Sequence, residues 1–148
     1  MWIYRLRWRV EQLFRTCKRD GLDLEGTQML EGSRLFKLAA LALGAAARTL
    51  QLVDARDGST RPAGDAVDEE MLPILAAIST SLEGGTVRQK NPHPRGSLAF
   101  VAWIAARLGG WNCYYRRPGP KTMRTGWKTL AAYLAGAIIT QNLTQQNP

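Results

Sequence analysis

Three observations predict a mainly α fold. Apolar residues recur at three- and four-residue spacing over long windows, as in Ile3, Leu6, Val10, Leu13 and Cys17 or Trp127, Leu130, Leu134, Ala137 and Ile138. Residues that cap or break helices separate those windows, among them Ser33, Ser97, Gly109-Gly110 and Pro118-Gly119-Pro120. The period-two alternation of a half-buried strand is nearly absent.

Taken in order, the first helix is expected from Trp2 to Arg19, stopping near Asp20-Gly21. Residues 21–32 read as a loop. Ser33 is a fitting N-cap for a second helix reaching about Val53. Asp54 to Ala66 holds Gly58, Pro62 and Gly64 and reads as an exposed, acid-bearing linker. Asp68-Glu69-Glu70 places acids at the start of a third helix, where the dipole favours them, and Pro73 fits only in its first turn. Glu83 to Gly96 is a loop. Ser97 caps a fourth helix, Leu98 to Leu108, which Gly109-Gly110 closes. Trp111 to Pro120 is an aromatic and basic loop. A last helix runs from about Thr122 to Thr140, followed by a polar tail. No internal repeat is visible.

The 148 residues carry a formal charge of +8 and a sequence pI of about 10.1, with 45% apolar residues. That composition is globular and large enough for a real core. The basic balance points to an anionic partner, nucleic acid or an acidic membrane surface. Two cysteines, Cys17 and Cys113, exclude a disulfide-rich scaffold; one histidine, His93, and no C-x-x-C exclude a zinc finger. Leu38 to Ala47, the longest strongly apolar stretch, falls short of the ~20 residues of a membrane span. Arg5, Arg7 and Arg9 interrupt the apolar N-terminus, so no signal peptide is expected. These features point to a reducing, cytoplasmic setting without a membrane partner.

Charge divides the chain into three. Residues 1–20 carry six basic and two acidic side chains, residues 21–85 five and ten, and residues 86–148 nine and none. A long stretch without a single carboxylate is an electrostatic footprint for phosphates.

The first helix concentrates the chemistry. At ~100° per residue, Tyr4, Arg7, Glu11, Arg15 and Lys18 share a face about 80° wide, beside the apolar stripe of Ile3, Leu6, Val10, Leu13 and Cys17. A carboxylate there can ligate a divalent metal, and the flanking cations can hold phosphate oxygens. These are the parts of a metal-dependent phosphoryl-transfer site on a nucleic-acid backbone. The same spacing also gives two i,i+4 ion pairs, worth only ~0.3–0.5 kcal/mol each on an exposed helix, which account for the face without any site.

The order Tyr4-x2-Arg7-x3-Glu11-x6-Lys18 resembles the Y-x2-R-x3-E-x6-K signature of DDE transposases from bacterial insertion sequences, the insertion-sequence-four family. The local string from Tyr4 to Glu11 is similar to that family's YxxRWxIE wording. Arg95-Gly96-Ser97-Leu98-Ala99, Arg107-Leu108-Gly109-Gly110-Trp111 and the run from Pro118 to Trp127 resemble strings of the same proteins, so the likeness spans residues 2 to about 130. It implies that residues 1–20 are the last helix of an RNase H-like catalytic core, that 21–85 continue it as helix with an acidic linker, and that 86–148 form a basic helical C-terminal region able to support dimerisation. It implies further that Glu11 is the third acidic residue of the triad, a Mg²⁺ ligand, and that Tyr4, Arg7 and Lys18 contact double-stranded DNA at the transposon end. Arg15 joins them by its position on the face. Arg116, Arg117, Lys121 and Arg124 are candidate DNA contacts of the basic region.

One departure from the family matters. The two aspartates of the triad are expected upstream on strands, yet three residues precede Tyr4 and every Asp follows Glu11. The chain therefore reads as the C-terminal part of a cut-and-paste transposase, in a bacterial cytoplasm at the nucleoid. It is expected to act as a homodimer or paired with full-length transposase, to meet Mg²⁺ in the full-length enzyme, and to lack catalysis by itself. Two alternatives remain: a non-catalytic helical module that pairs with and inhibits an intact transposase, and a general basic nucleic-acid-binding protein. Trp111, Tyr114 and Tyr115 could stack on bases. Trp103 and Trp127 are expected in the core, Cys17 as a small core residue, and His93 at the surface.

Overall fold

The structure is a computed structural model; it describes the backbone of residues 2–19 and 31–146 and the side chains of residues 7–18 and 31–144. It is mainly helical, with no strand among the described residues: α1 (Trp2–Arg19), α2 (Gly32–Ala55), α3 (Leu72–Leu82), α4 (Leu98–Leu108) and α5 (Pro120–Gln146), with short 3-10 turns at Ala63–Asp65, Glu69–Met71 and Val87–Gln89. The chain falls into two compact units that divide after Gln51, within α2.

The first unit holds α1 and most of α2. Thr16 and Cys17 of α1 are buried, as is Ala42 of α2, and the Cys17 thiol donates to the Ala42 carbonyl at 3.8 Å. Burial raises the Cys17 pKa, so it behaves as a small apolar residue with a weak donor. Among the described residues of the expected apolar stripe, cover decreases away from that end: Cys17 is buried, Leu13 half-buried and Val10 half-exposed. The Ile3 and Leu6 side chains lie outside the described residues. Trp8 and Phe14 are exposed, as are Leu35, Phe36, Leu41 and Leu43 of α2.

α2 starts two residues earlier than the serine reading predicts. Glu31 is the cap, its carbonyl accepting from Leu35 N at 3.0 Å, while its carboxylate accepts from Ser33 and pairs with Arg34, both at 2.6 Å. Ser33 thus lies inside the first turn. α2 is also longer in its apolar character than the uninterrupted run Leu38 to Ala47 suggests. Its most apolar 18-residue window has a mean hydropathy of 1.3, so the helix is long and apolar enough to cross a membrane. Counting only the uninterrupted apolar run hid this. Its C-terminal end carries Leu52 and Ala55 into the core of the second unit, and core helices of soluble proteins meet the same criterion.

The second unit is built on α4, whose residues Leu98 to Ala106 are all buried. Ser97 caps it as expected, its Oγ accepting from Phe100 N at 3.1 Å, and Gly109 closes it. α5 crosses α4 at small residues, packing Met123, Leu130 and Leu134 into the core, while α3 contributes Leu75. Pro73 sits in the first turn of α3. The segment after α2 is not the exposed linker its composition suggests. Ala63 N donates to Gly96 O at 2.6 Å and Leu98 N to Arg61 O at 2.8 Å, and Ala63 is buried. Two backbone hydrogen bonds and one buried alanine dock this stretch against the start of α4. α5 begins at Pro120 and continues to Gln146, so the expected polar tail is helical through that residue. Trp103 is buried, whereas Trp127 is half-buried and Ile138 exposed. The apolar face of α5 is covered as far as Leu134 only.

Candidate functional site

Two sets of predicted site residues lie in different units. In the first unit, α1 is an unbroken helix through Arg7, Glu11, Arg15 and Lys18. The Tyr4 side chain lies outside the described residues. Arg7 Nε donates to Glu11 Oε1 at 3.3 Å, both side chains being exposed. An exposed i,i+4 pair of this kind contributes a few tenths of a kcal/mol. Glu11, Arg15 and Lys18 share one groove of about 570 Å³ with the apolar side chains of Val10 and Phe14. The helix thus brings together four of the five predicted residues, three of them along one groove.

That groove presents one carboxylate between cations. No group of three His, Cys, Asp or Glu side chains is placed to hold a metal among the described residues. Mg²⁺ takes one or two carboxylates, water and substrate phosphates. Glu11 fits one ligand of a shared site and does not make a two-metal site.

In the second unit, α4 and α5 are joined by the aromatic and basic loop at 111–119. Arg107, near the end of α4, fastens it. Its guanidinium donates to Leu82 O at 2.8 and 3.2 Å and to Trp111 O at 2.8 Å, and lies over the Trp103 ring at 5.8 Å from the centroid. Gly110 and Cys113 take positive φ, 91° and 72°, where the chain reverses. Burial raises the Cys113 pKa, and the Arg107 charge and hydrogen bond partly offset it. Trp111 Nε1 donates to the carbonyls of Tyr115 and Arg116 at 3.3 and 3.1 Å. Asn112 Oδ1 accepts from the backbone of Tyr114 and Tyr115 at 3.1 and 3.4 Å. The Tyr114 hydroxyl meets Thr86 Oγ1 at 2.6 Å.

The four predicted cations around this loop separate into different environments. Arg116 and Arg117 line a groove of about 480 Å³ together with Trp111 and Tyr115. Arg117 Nη1 also pairs with Asp57 Oδ2 at 2.9 Å, an exposed pair. Lys121 is exposed on the first turn of α5. Arg124 is half-buried, and its Nη1 is buried with no protein hydrogen-bond partner. His93 is half-buried, not on the open surface; burial lowers its pKa, while the Arg56 carbonyl and the Asp57 charge pull it back up.

Sequence reasoning missed Arg107 as the anchor of the loop and Thr86 as the partner of Tyr114. The contacts that give them these roles, Arg107 to Leu82 and Thr86 to Tyr114, join residues far apart in the chain and leave no pattern in the sequence. No family model, curated protein or solved structure matches the chain.

Proposed function

We propose that this chain is the C-terminal part of a cut-and-paste DNA transposase. In this reading α1 is the last helix of an RNase H-like core. Glu11 contributes the third acidic ligand to a Mg²⁺ site completed by residues outside this chain, and Arg7, Arg15, Lys18 and Tyr4 hold transposon-end DNA. Arg116, Arg117 and Lys121 add phosphate contacts. The single observation that carries the proposal is the four-position signature on α1, an unbroken helix on which its Glu11 and Lys18 share one groove with the neighbouring Arg15. The uncovered apolar side chains of the first unit, Trp8, Val10 and Phe14, support it too. They are what a catalytic sheet would cover. The chain by itself is not an enzyme in this account, because one carboxylate cannot clamp both the attacking and leaving oxygens.

The test is a binding titration with duplexes from the DNA bordering the coding region, against shuffled duplexes of equal composition. Preferential binding, lost in Arg7→Ala and Lys18→Ala, is the expected result. Each phosphate contact removed should also lower the salt slope by about 0.9. Equal affinity for all duplexes would sink the proposal and leave the general basic nucleic-acid binder.

A second reading, a module that pairs with an intact transposase, is favoured by Tyr133, Ile139 and Leu143, large apolar side chains exposed on α5. A dimer that forms without DNA and is insensitive to salt would select it.

A further inference from the structure

The loop between α4 and α5 has one property that duplex binding does not need. Its backbone is fastened by Arg107 at Trp111, by the Trp111 indole at Tyr115 and Arg116, and by Arg56, whose Nη1 donates to Pro118 O at 2.9 Å. Yet this fixed loop leaves Tyr115 80% exposed. A phenol ring held out of the core on a rigid backbone gives up its own burial and is pre-organised for a planar ligand.

We propose that the loop binds unpaired nucleotides, with Tyr115 as the stacking platform and Arg116 and Arg117 as the phosphate contacts. The proposal rests on the reading of this loop as DNA-contacting and narrows it to single-stranded or extruded nucleotides. In a duplex, both faces of an internal base are already stacked, and the backbone offers only phosphates. A ring face beside two guanidinium groups suits a strand whose bases are open. These side chains line one open groove of about 480 Å³, so the ring and the guanidinium groups face the same space. Residues 86–148 contain no Asp or Glu, which favours phosphates, and at Arg117 a phosphate competes with the Asp57 carboxylate. The partner so described is chosen by shape and charge, so little sequence preference is expected.

The test measures the affinity of the whole chain for a short oligothymidylate and for a border duplex at about 0.15 M salt. It compares wild type, Tyr115→Ala, Tyr115→Phe and Arg116→Ala. The exposed position of Tyr115 makes the substitutions safe for folding, which circular dichroism verifies. Tyr115→Ala should lose about tenfold or more in single-strand affinity, Tyr115→Phe should restore it, and duplex affinity should hardly move. Arg116→Ala should flatten the single-strand salt slope by about 0.7. Single-strand affinity unchanged in Tyr115→Ala, or equally poor in Tyr115→Phe, would overturn the proposal. So would a wild-type chain that does not bind the oligothymidylate. If the chain shows no preference for border duplexes while the Tyr115 dependence holds, the transposase reading falls and this inference stands.

Discussion

Gly126→Ala should be among the most damaging single-methyl changes in the second unit. A methyl group on Gly126 would overlap the Ala105 carbonyl oxygen, lie 2.6 Å from that carbonyl's carbon and 2.7 Å from Gly109 N. All three atoms belong to the backbone at the end of α4, so no side-chain rotation clears them. Gly109 is equally confined from the other side, its added methyl falling 2.9 Å from the Thr122 carbonyl carbon. Overpacking of this kind costs ~1–3 kcal/mol, and a clash with backbone belongs at the upper end, about 3 kcal/mol. Alanine's better helix propensity returns about 1 kcal/mol. The net loss is then about 2 kcal/mol, or a fall in Tm of roughly 10 °C for a domain of this size. Gly136 on the same helix is the internal control. It is exposed with nothing within 4 Å of the added methyl, so Gly136→Ala should gain ~0.5–1 kcal/mol. Urea unfolding followed by circular dichroism, at a common m-value, reads both. A Gly126→Ala protein within ~0.5 kcal/mol of wild type would refute the close crossing of α4 and α5.

Ser97→Ala removes the side-chain cap of α4 and should cost ~1 kcal/mol in the same assay. Arg107→Met strands the Leu82 and Trp111 carbonyls and should destabilise by about 2 kcal/mol while loosening the loop, seen as faster proteolysis between α4 and α5. Arg124→Met removes a buried guanidinium nitrogen that has no partner, so unfolding free energy should stay level or rise; a clear loss would mean that the group is satisfied. His93 has a pKa below the usual 6.5 because burial disfavours its charged form. The unfolded chain therefore binds the proton more readily, and this stabilisation is present above pH 6.5 and is lost as pH falls through the folded value. Wild type should lose stability more steeply than His93→Gln below pH 6.5, and parallel curves would contradict the assignment. The purified chain should not nick border DNA with Mg²⁺, and a Mg²⁺-dependent nick abolished by Glu11→Gln would reverse the view that it is not catalytic alone.

Much of the helical layout was legible because its signals are local. Ser97 and Gly109-Gly110 bracket α4 within a residue, since capping and closure depend on side chains next to the helix ends. The face of α1 was equally readable, since helical geometry alone places Arg7 beside Glu11. What escaped depends on partners distant in sequence. The stretch around Ala63 has the composition of a loose linker, yet Arg61 and Ala63 are docked by backbone hydrogen bonds to Leu98 and Gly96, which no pattern announces. The glycines in Arg107-Leu108-Gly109-Gly110-Trp111 and Thr125-Gly126-Trp127 entered as parts of resembling strings, yet Gly109 and Gly126 have a plain structural cause, the close helix crossing. Arg124 illustrates the reverse: its charge suggested a phosphate contact, and only packing revealed that one of its nitrogens is buried.

The measurement that tests the central claim most directly is the sequence of the DNA upstream of the Met1 codon. The account predicts a β-rich segment carrying two aspartates, encoded in frame or in an adjoining frame, so that Glu11 completes a triad. Unrelated coding sequence in that place would contradict it and leave a basic helical protein whose signature on α1 is a row of exposed ion pairs.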